Sequence, residues 1–221
     1  MPVVDFERAR QPEQKELRRE AILEAAAALL EEKGLHDISL SAIARKAKLS
    51  KANLYRYFES REAIFLELLR ADYDVIAKDF EKALLPLAGS GDVAGVANAI
   101  AASLASAPRA LELLASVASI LEHNVSADTI RDFKREIYAI GARPVFAVHA
   151  ALPDLPFEKA FEVVHMVILF AGGLYPSANP PPIVAEVMAE PEFCQFAFDF
   201  EPTLATHARL LLRGALAESA S

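Results

Sequence analysis

Residues Ile38–Ile64 read ISLSAIARKAKLSKANLYRYFESREAI, and this stretch decides the fold. Ser39, Ser50 and Ser60 each stand just ahead of a short apolar-patterned run, where a side-chain oxygen accepts a first-turn backbone N–H. The spacing predicts a helix over 40–47 with Ile43, Ala44 and Ala47 inward. Lys48 and Leu49 make a tight turn, and a second helix follows over 51–57 with Leu54 and Phe58 inward. Ser60 caps a longer helix. Two short helices joined by so short a turn, lying between longer ones, form a helix-turn-helix, whose second member is shaped to enter a DNA major groove.

The flanks read as helix too. Leu17, Ile22, Ala25, Ala26, Leu29 and Leu30 recur at helical spacing, giving a helix over 13–33 that ends at Gly34, a left-handed C-cap. Leu35 and Ile38 pack beneath the next element. Downstream, Ile64, Leu68, Val75, Ile76, Phe80 and Leu84 form the stripe of a helix that reaches Leu85 and stops at Pro86. Pro86–Gly91 reads as a domain boundary. Beyond it the pattern predicts helices over 92–105, 109–123, 127–151, 157–175 and 202–218. The four prolines of Pro176–Pro182 predict an extended segment, with a short helix over 183–189. Residues 191–200 are aromatic-rich and carry no clear period.

Charge is distributed unevenly. The whole chain carries −8, which by itself argues against a polyanionic partner. Between Ser41 and Arg61, however, Arg45, Lys46, Lys48, Lys51, Arg56 and Arg61 face only Glu59, whereas residues 63–221 hold 11 basic and 20 acidic side chains. A basic patch on an acidic body is the footprint of a small DNA-reading module, although a solvated helix face has the same composition. Cys194 is the only cysteine, so the chain forms no internal disulfide and has no cysteine cluster for zinc, which suits a reducing cytoplasm. The N-terminus has no secretory pattern, and the apolar run Val163–Pro176 is interrupted by His165 and too short to span a bilayer. The five histidines show no metal-ligand spacing, and Gly89-Ser90-Gly91 follows a helix rather than a strand, so it reads as linker and not as a dinucleotide loop.

Residues 15–64 resemble the TetR family of bacterial transcription regulators. The resemblance rests on the capped helix with Ile43-Ala44, the small apolar residue before Ser50, the Leu54-Tyr55 and Phe58 positions, and the Arg61-Glu62 pair. It implies an all-α protein: an N-terminal three-helix DNA-binding domain with a helix-turn-helix over 1–62, and a C-terminal helical ligand-binding and dimerisation domain over 63–221. It implies no enzyme and no cofactor. By the same resemblance Lys51, Ala52, Asn53 and Tyr55 meet bases and nearby backbone of a double-stranded operator, Tyr57 reaches phosphate, and Ser39 and Arg61 anchor phosphate. One position departs from the family: Lys48 stands where glycine is usual, because the turn needs positive φ, and a side chain there costs about 1 kcal/mol.

For the C-terminal part the resemblance implies a small-molecule effector and a homodimer, its interface built on 157–175 and 202–218 with Leu204, Leu210, Leu211 and Leu212 contributing. Effector contacts are read onto His123 with Asn124, Phe133, Tyr138, Phe146, His149, His165 and Met166; core or surface duty explains each of them as well. Two rivals stay open at this point: a helical carrier or enzyme whose basic segment is structural, and a regulator that answers to a partner protein. The leading expectation is a cytoplasmic repressor released from its operator by a hydrophobic effector.

Overall fold

The computed structural model describes residues 5–220, with side chains from Gln14 onward, and no strand occurs among them. Among the described residues ten α-helices follow in order: α1 Asp5–Lys33, α2 Leu40–Lys46, α3 Lys51–Leu54, α4 Arg61–Leu84, α5 Val93–Ala105, α6 Pro108–Ala115, α7 Ala127–Ala151, α8 Phe157–Ala178, α9 Pro182–Met188 and α10 Phe200–Ser219. Short 3₁₀ turns and one π-turn, Val117–Leu121, fill several connections.

The chain divides into two compact units, one holding the residues through Leu69 with Val117–Phe133, the other Arg70–Ser116 with Lys134–Ser221. Helices α4 and α7 therefore contribute residues to both. The division does not fall at Pro86–Gly91. That segment belongs to the second unit, where the N–H groups of Gly89 and Gly91 donate to the carbonyls of Ala150 and Ala151 at 2.7 and 3.0 Å.

In the first unit α1 packs on α2, and α2 on α3. Ile22, Ala26, Leu30, Ile38, Ile43, Leu54 and Ile64 are buried in this unit. Gly34 takes φ 73° and its N–H closes α1 on the Leu30 carbonyl at 3.0 Å, a turn that disfavours a Cβ. Helix α1 begins at Asp5, earlier than the apolar stripe predicts, and Leu17 lies on its exposed side.

In the second unit α10 packs on α5 and α8, and α6 on α8. Val96, Ile100, Val148, Val163, Val167, Leu204 and Leu212 are among the buried residues of its core. The α6–α8 approach is close: a Cβ on Gly172 would meet Leu114 Cγ at 3.1 Å. By length and composition α8 passes for a membrane span, but Ala160, Val163, Val164, Val167, Ala171 and Leu174 bury one of its faces in this core.

Three local readings need correction. Pro176 does not end α8, which runs on to Ala178 and takes in the first of the four prolines that predict an extended segment. The predicted helix over 109–123 breaks at Ser116 and resumes as the π-turn. Val75, assigned to the buried stripe of α4, is exposed.

Candidate nucleic-acid interface

The turn between α2 and α3 is a Schellman motif. Leu49 N–H donates to the Ala44 carbonyl at 2.8 Å and Lys48 N–H to the Arg45 carbonyl at 3.1 Å. Lys48 takes the left-handed position at φ 56°, so the lysine occupies a conformation that suits glycine. The turn delivers Ser50, whose Oγ accepts from Asn53 N–H at 3.2 Å and starts α3. Ser39 caps α2 in the same way through Ala42 N–H at 3.2 Å, and Ser60 caps α4 through Ala63 N–H at 3.1 Å. Each of these hydroxyls accepts with its oxygen and keeps its proton to donate elsewhere.

Helix α3 is a single turn anchored by Leu54, which is fully buried. Its other side carries Lys51, Ala52 and Asn53, all exposed, followed by Tyr55 at 51% exposure. Lys51 Nζ lies 5.9 Å from the Tyr55 ring centroid, so cation and ring are displayed together. Tyr57 is half-buried and Arg56 exposed. Residues 55–57 are not helical, because the chain turns there to bring Phe58 into the core. Phe58 also receives the Arg19 guanidinium 4.6 Å from its ring centroid, and Arg19 bridges Glu67 at 3.1 Å.

Arg61 sits differently from the other expected DNA-contacting residues. Its Nη1 donates to the Ile38 carbonyl at 2.8 Å, while Nε and Nη2 donate to Glu62 Oε1 at 3.2 and 2.9 Å. Half-buried and so engaged, it ties the start of α4 to the connection before α2. Lys46 is held by Glu32 at 2.5 Å, and that ammonium lowers the Glu32 pKa. Sequence reasoning missed Glu59. Its carboxylate accepts from Ser126 N–H at 2.8 Å just ahead of α7, a bond that holds its pKa below the usual carboxylate value, with Thr129 assisting. The only signal was a lone acid within a basic run.

The expected effector residues do not gather. His123, Tyr138, Phe146, His165 and Met166 are exposed, and Phe133 is buried in the first unit. His149 is half-buried with Nδ1 2.8 Å from the Leu155 carbonyl, and His165 stacks on Phe161. A cavity does exist in the second unit, and none of these residues lines it. Its walls include Tyr73 and Phe80 of α4, Ile100 of α5, Gly141 and Pro144 of α7 and Val164 of α8. The cavity has a volume of about 40 Å³, and its lining surface is apolar. Burial raises the pKa of the Tyr73 hydroxyl well above the ordinary tyrosine value. The readable trace of this cavity is Gly141 and Pro144 in mid-helix, both of which line it. Among the described residues no cluster of three His, Cys, Asp or Glu is placed to hold a metal ion.

Two family models match the chain. One, described as bacterial regulatory proteins of the tetR family, covers residues 22–68; the other, described as the tetracyclin repressor-like C-terminal domain, covers residues 70–219. An uncharacterized HTH-type transcriptional regulator of Bacillus subtilis, YdgC, is 39% identical over 67 residues, which is 30% of this chain and 34% of that protein. The HTH-type transcriptional regulator RutR of Escherichia coli K12 is 38% identical over 74 residues, covering 32% and 35% of the two chains. These matches span about a third of each relative's length. A TetR transcriptional regulator from Rhodococcus sp. RHA1 superposes with a TM-score of 0.59 at 20% identity over 90% of this chain and 97% of its own, so the likeness of fold extends through the second unit.

Proposed function

We propose, from the premise that this chain belongs to the TetR family of bacterial regulatory proteins, that it is a cytoplasmic homodimeric repressor released from its operator by a small apolar effector. The family consists of DNA-binding transcription regulators rather than enzymes, and the helix-turn-helix is the part that meets DNA. Lys51, Ala52, Asn53 and Tyr55 face the major groove, Ser39 and Tyr57 meet phosphate, and Arg61 holds the wedge in shape while its spare N–H groups approach the backbone. The observation that carries this assignment is the exposure of Lys51, Ala52, Asn53 and Tyr55 beside a fully buried Leu54.

The effector enters the apolar cavity between α4, α5, α7 and α8. Ligand pockets run to roughly 300–1,000 Å³, so an effector of ordinary size must widen this one by moving its walls. It shifts the protein only by its unequal affinity for the closed and widened states. The homodimer joins through α8 and α10, whose outer faces expose Phe161, Met166, Leu169, Phe170, Leu210 and Leu211.

Fluorescence anisotropy with fragments of the host genome across a salt series tests the DNA reading. Log affinity should fall linearly with log salt, with a slope near −0.9 for each phosphate neutralised. A flat response, or equal binding by a Lys51→Ala/Tyr55→Ala variant, would remove the assignment. Repression and release are tested separately, by a reporter placed behind the recovered fragment.

A further inference from the structure

The segment between α8 and α10 is far longer than its task requires. The two helices pack on each other, and connections between packed helices usually take about 2–8 residues; here residues 179–199 intervene. Nothing in 180–199 is buried, and α9 within it adds no residue to the core. Ile183, Val184, Val187, Phe196 and Phe198 are 68, 44, 42, 57 and 49% exposed. A seven-residue helix is marginal in water unless one face is packed. Pro180, Pro181, Pro182 and Pro191 stiffen the segment at its base and middle, which lowers the entropy lost when it docks.

Charge points to what covers it. Glu186, Glu190, Glu192 and Asp199 are exposed, and 180–199 contains no lysine or arginine. On α10, Arg209 and Arg213 lie one helical turn apart and make no ion pair among the described residues, beside the exposed Leu210. The segment joins directly at both ends to the helices that expose the apolar dimer face. An acidic apolar segment and the Arg209–Arg213 pair beside Leu210, in one chain, complement each other locally across a two-fold axis, where each contact occurs twice.

We infer that residues 180–199 form an arm that lies across the second subunit of a homodimer, its apolar side chains on that subunit's α8–α10 face and its carboxylates on Arg209 and Arg213 of that subunit. The inference rests on the homodimer reading above. It adds that each subunit clasps the other through a segment the isolated protomer leaves uncovered.

Cys194, the sole cysteine, is exposed within the arm and accepts a benzophenone maleimide. The labelled full-length chain is mixed with an unlabelled, nitrogen-15-enriched copy, irradiated, and mapped by mass spectrometry, with sedimentation equilibrium run on the same sample. Light-to-heavy adducts in α8 or α10 are the expected result. Adducts elsewhere, adducts only within the labelled chain, or none at all in an intact dimer overturn the arm and leave the dimer standing. A monomer at micromolar concentration removes both. In a second measurement, Ile183→Ser/Val187→Ser/Phe196→Ser/Phe198→Ser and, separately, Arg213→Glu should each raise the dimer dissociation constant at least tenfold with far-UV helix content unchanged. An unchanged constant in both contradicts the arm.

Discussion

Lys48 shows how far a single residue can depart from local preference when its neighbours agree. Its φ of 56° is set by the Schellman bonds on either side of it and by the burial of Ile43, Ala44 and Leu54. A side chain in that region costs about 1–2 kcal/mol, part of which glycine gives back as lost chain entropy. Lys48→Gly should therefore stabilise the protein by about 0.5–1 kcal/mol, read as a higher urea midpoint at constant m-value. Tyr55 makes the complementary case. Its side chain is half exposed, and no hydrogen bond to its hydroxyl occurs among the described residues, so Tyr55→Phe should leave the thermal midpoint alone. If the hydroxyl meets DNA, operator affinity falls by the worth of one hydrogen bond, about 0.5–1.5 kcal/mol or roughly two- to tenfold; equal affinity for the two proteins would take Tyr55 out of the interface. Both positions were legible in the sequence because the motif fixes spacing. Arg61 was less so, since a sequence shows a cation but not the Ile38 carbonyl and Glu62 carboxylate that occupy it.

At the scale of elements, local signals located starts better than stops. The three serine caps placed the beginnings of α2, α3 and α4, because a cap is a one-residue chemical event. The end of α3 was missed, since burying Phe58 after so short a helix is a tertiary demand. Pro176 in α8 was read as a stop for the converse reason: core packing of Ala171 and Leu174 outweighs the lost hydrogen bond. Helix α7 carries two predictions. Glu59 accepts from the N–H of Ser126 just ahead of it, and its pKa is depressed. A depressed carboxylate contributes stability that is fully present above its unfolded pKa, near 4.3, and lost as pH falls through its lower folded value. The thermal midpoint of wild type should exceed that of Glu59→Ala at pH 7, by the equivalent of about 0.5–1 kcal/mol after allowance for solvent screening, and the gap should narrow steadily in acid below pH 4. A gap independent of pH would mean that the carboxylate charge contributes nothing. The second prediction concerns Gly141, which lines the cavity from mid-helix and whose added Cβ would meet nothing within 4 Å. Gly141→Ala should stabilise α7 by about 0.8–1.0 kcal/mol on helix propensity alone, measured by thermal or urea unfolding. No gain would mean that the helix is already bent there to accommodate Pro144.

At the scale of the whole molecule, sequence and structure agree on an all-helical chain with a DNA-reading unit, and differ on where the chain is partitioned. Pro86 and the two glycines at 89 and 91 mark a turn inside one unit, while α4 and α7 each contribute residues to both units. No composition shift signals that, because a shared helix needs apolar faces along its whole length. The lining of the cavity escaped the sequence for a related reason. Aromatic and histidine side chains catch the eye, but the cavity is walled largely by aliphatic residues from four helices distant in the chain. The dimer offers the sharpest global test. Leu210 is 60% exposed on α10, so Leu210→Glu removes little from the protomer core and should barely move the unfolding midpoint at low protein concentration. Across a two-fold interface, however, the variant would bury two new carboxylates, one from each chain, with no designed partner. Sedimentation equilibrium should then report monomer. Because two linked reading helices gain from an effective concentration in the millimolar range, operator affinity should fall by roughly 10²-fold or more while each half-site contact stays intact. Retention of a dimer by this variant would move the interface off α10; loss of the dimer with undiminished operator affinity would show that one protomer suffices for DNA, and the two-fold reading of the site would fall with it.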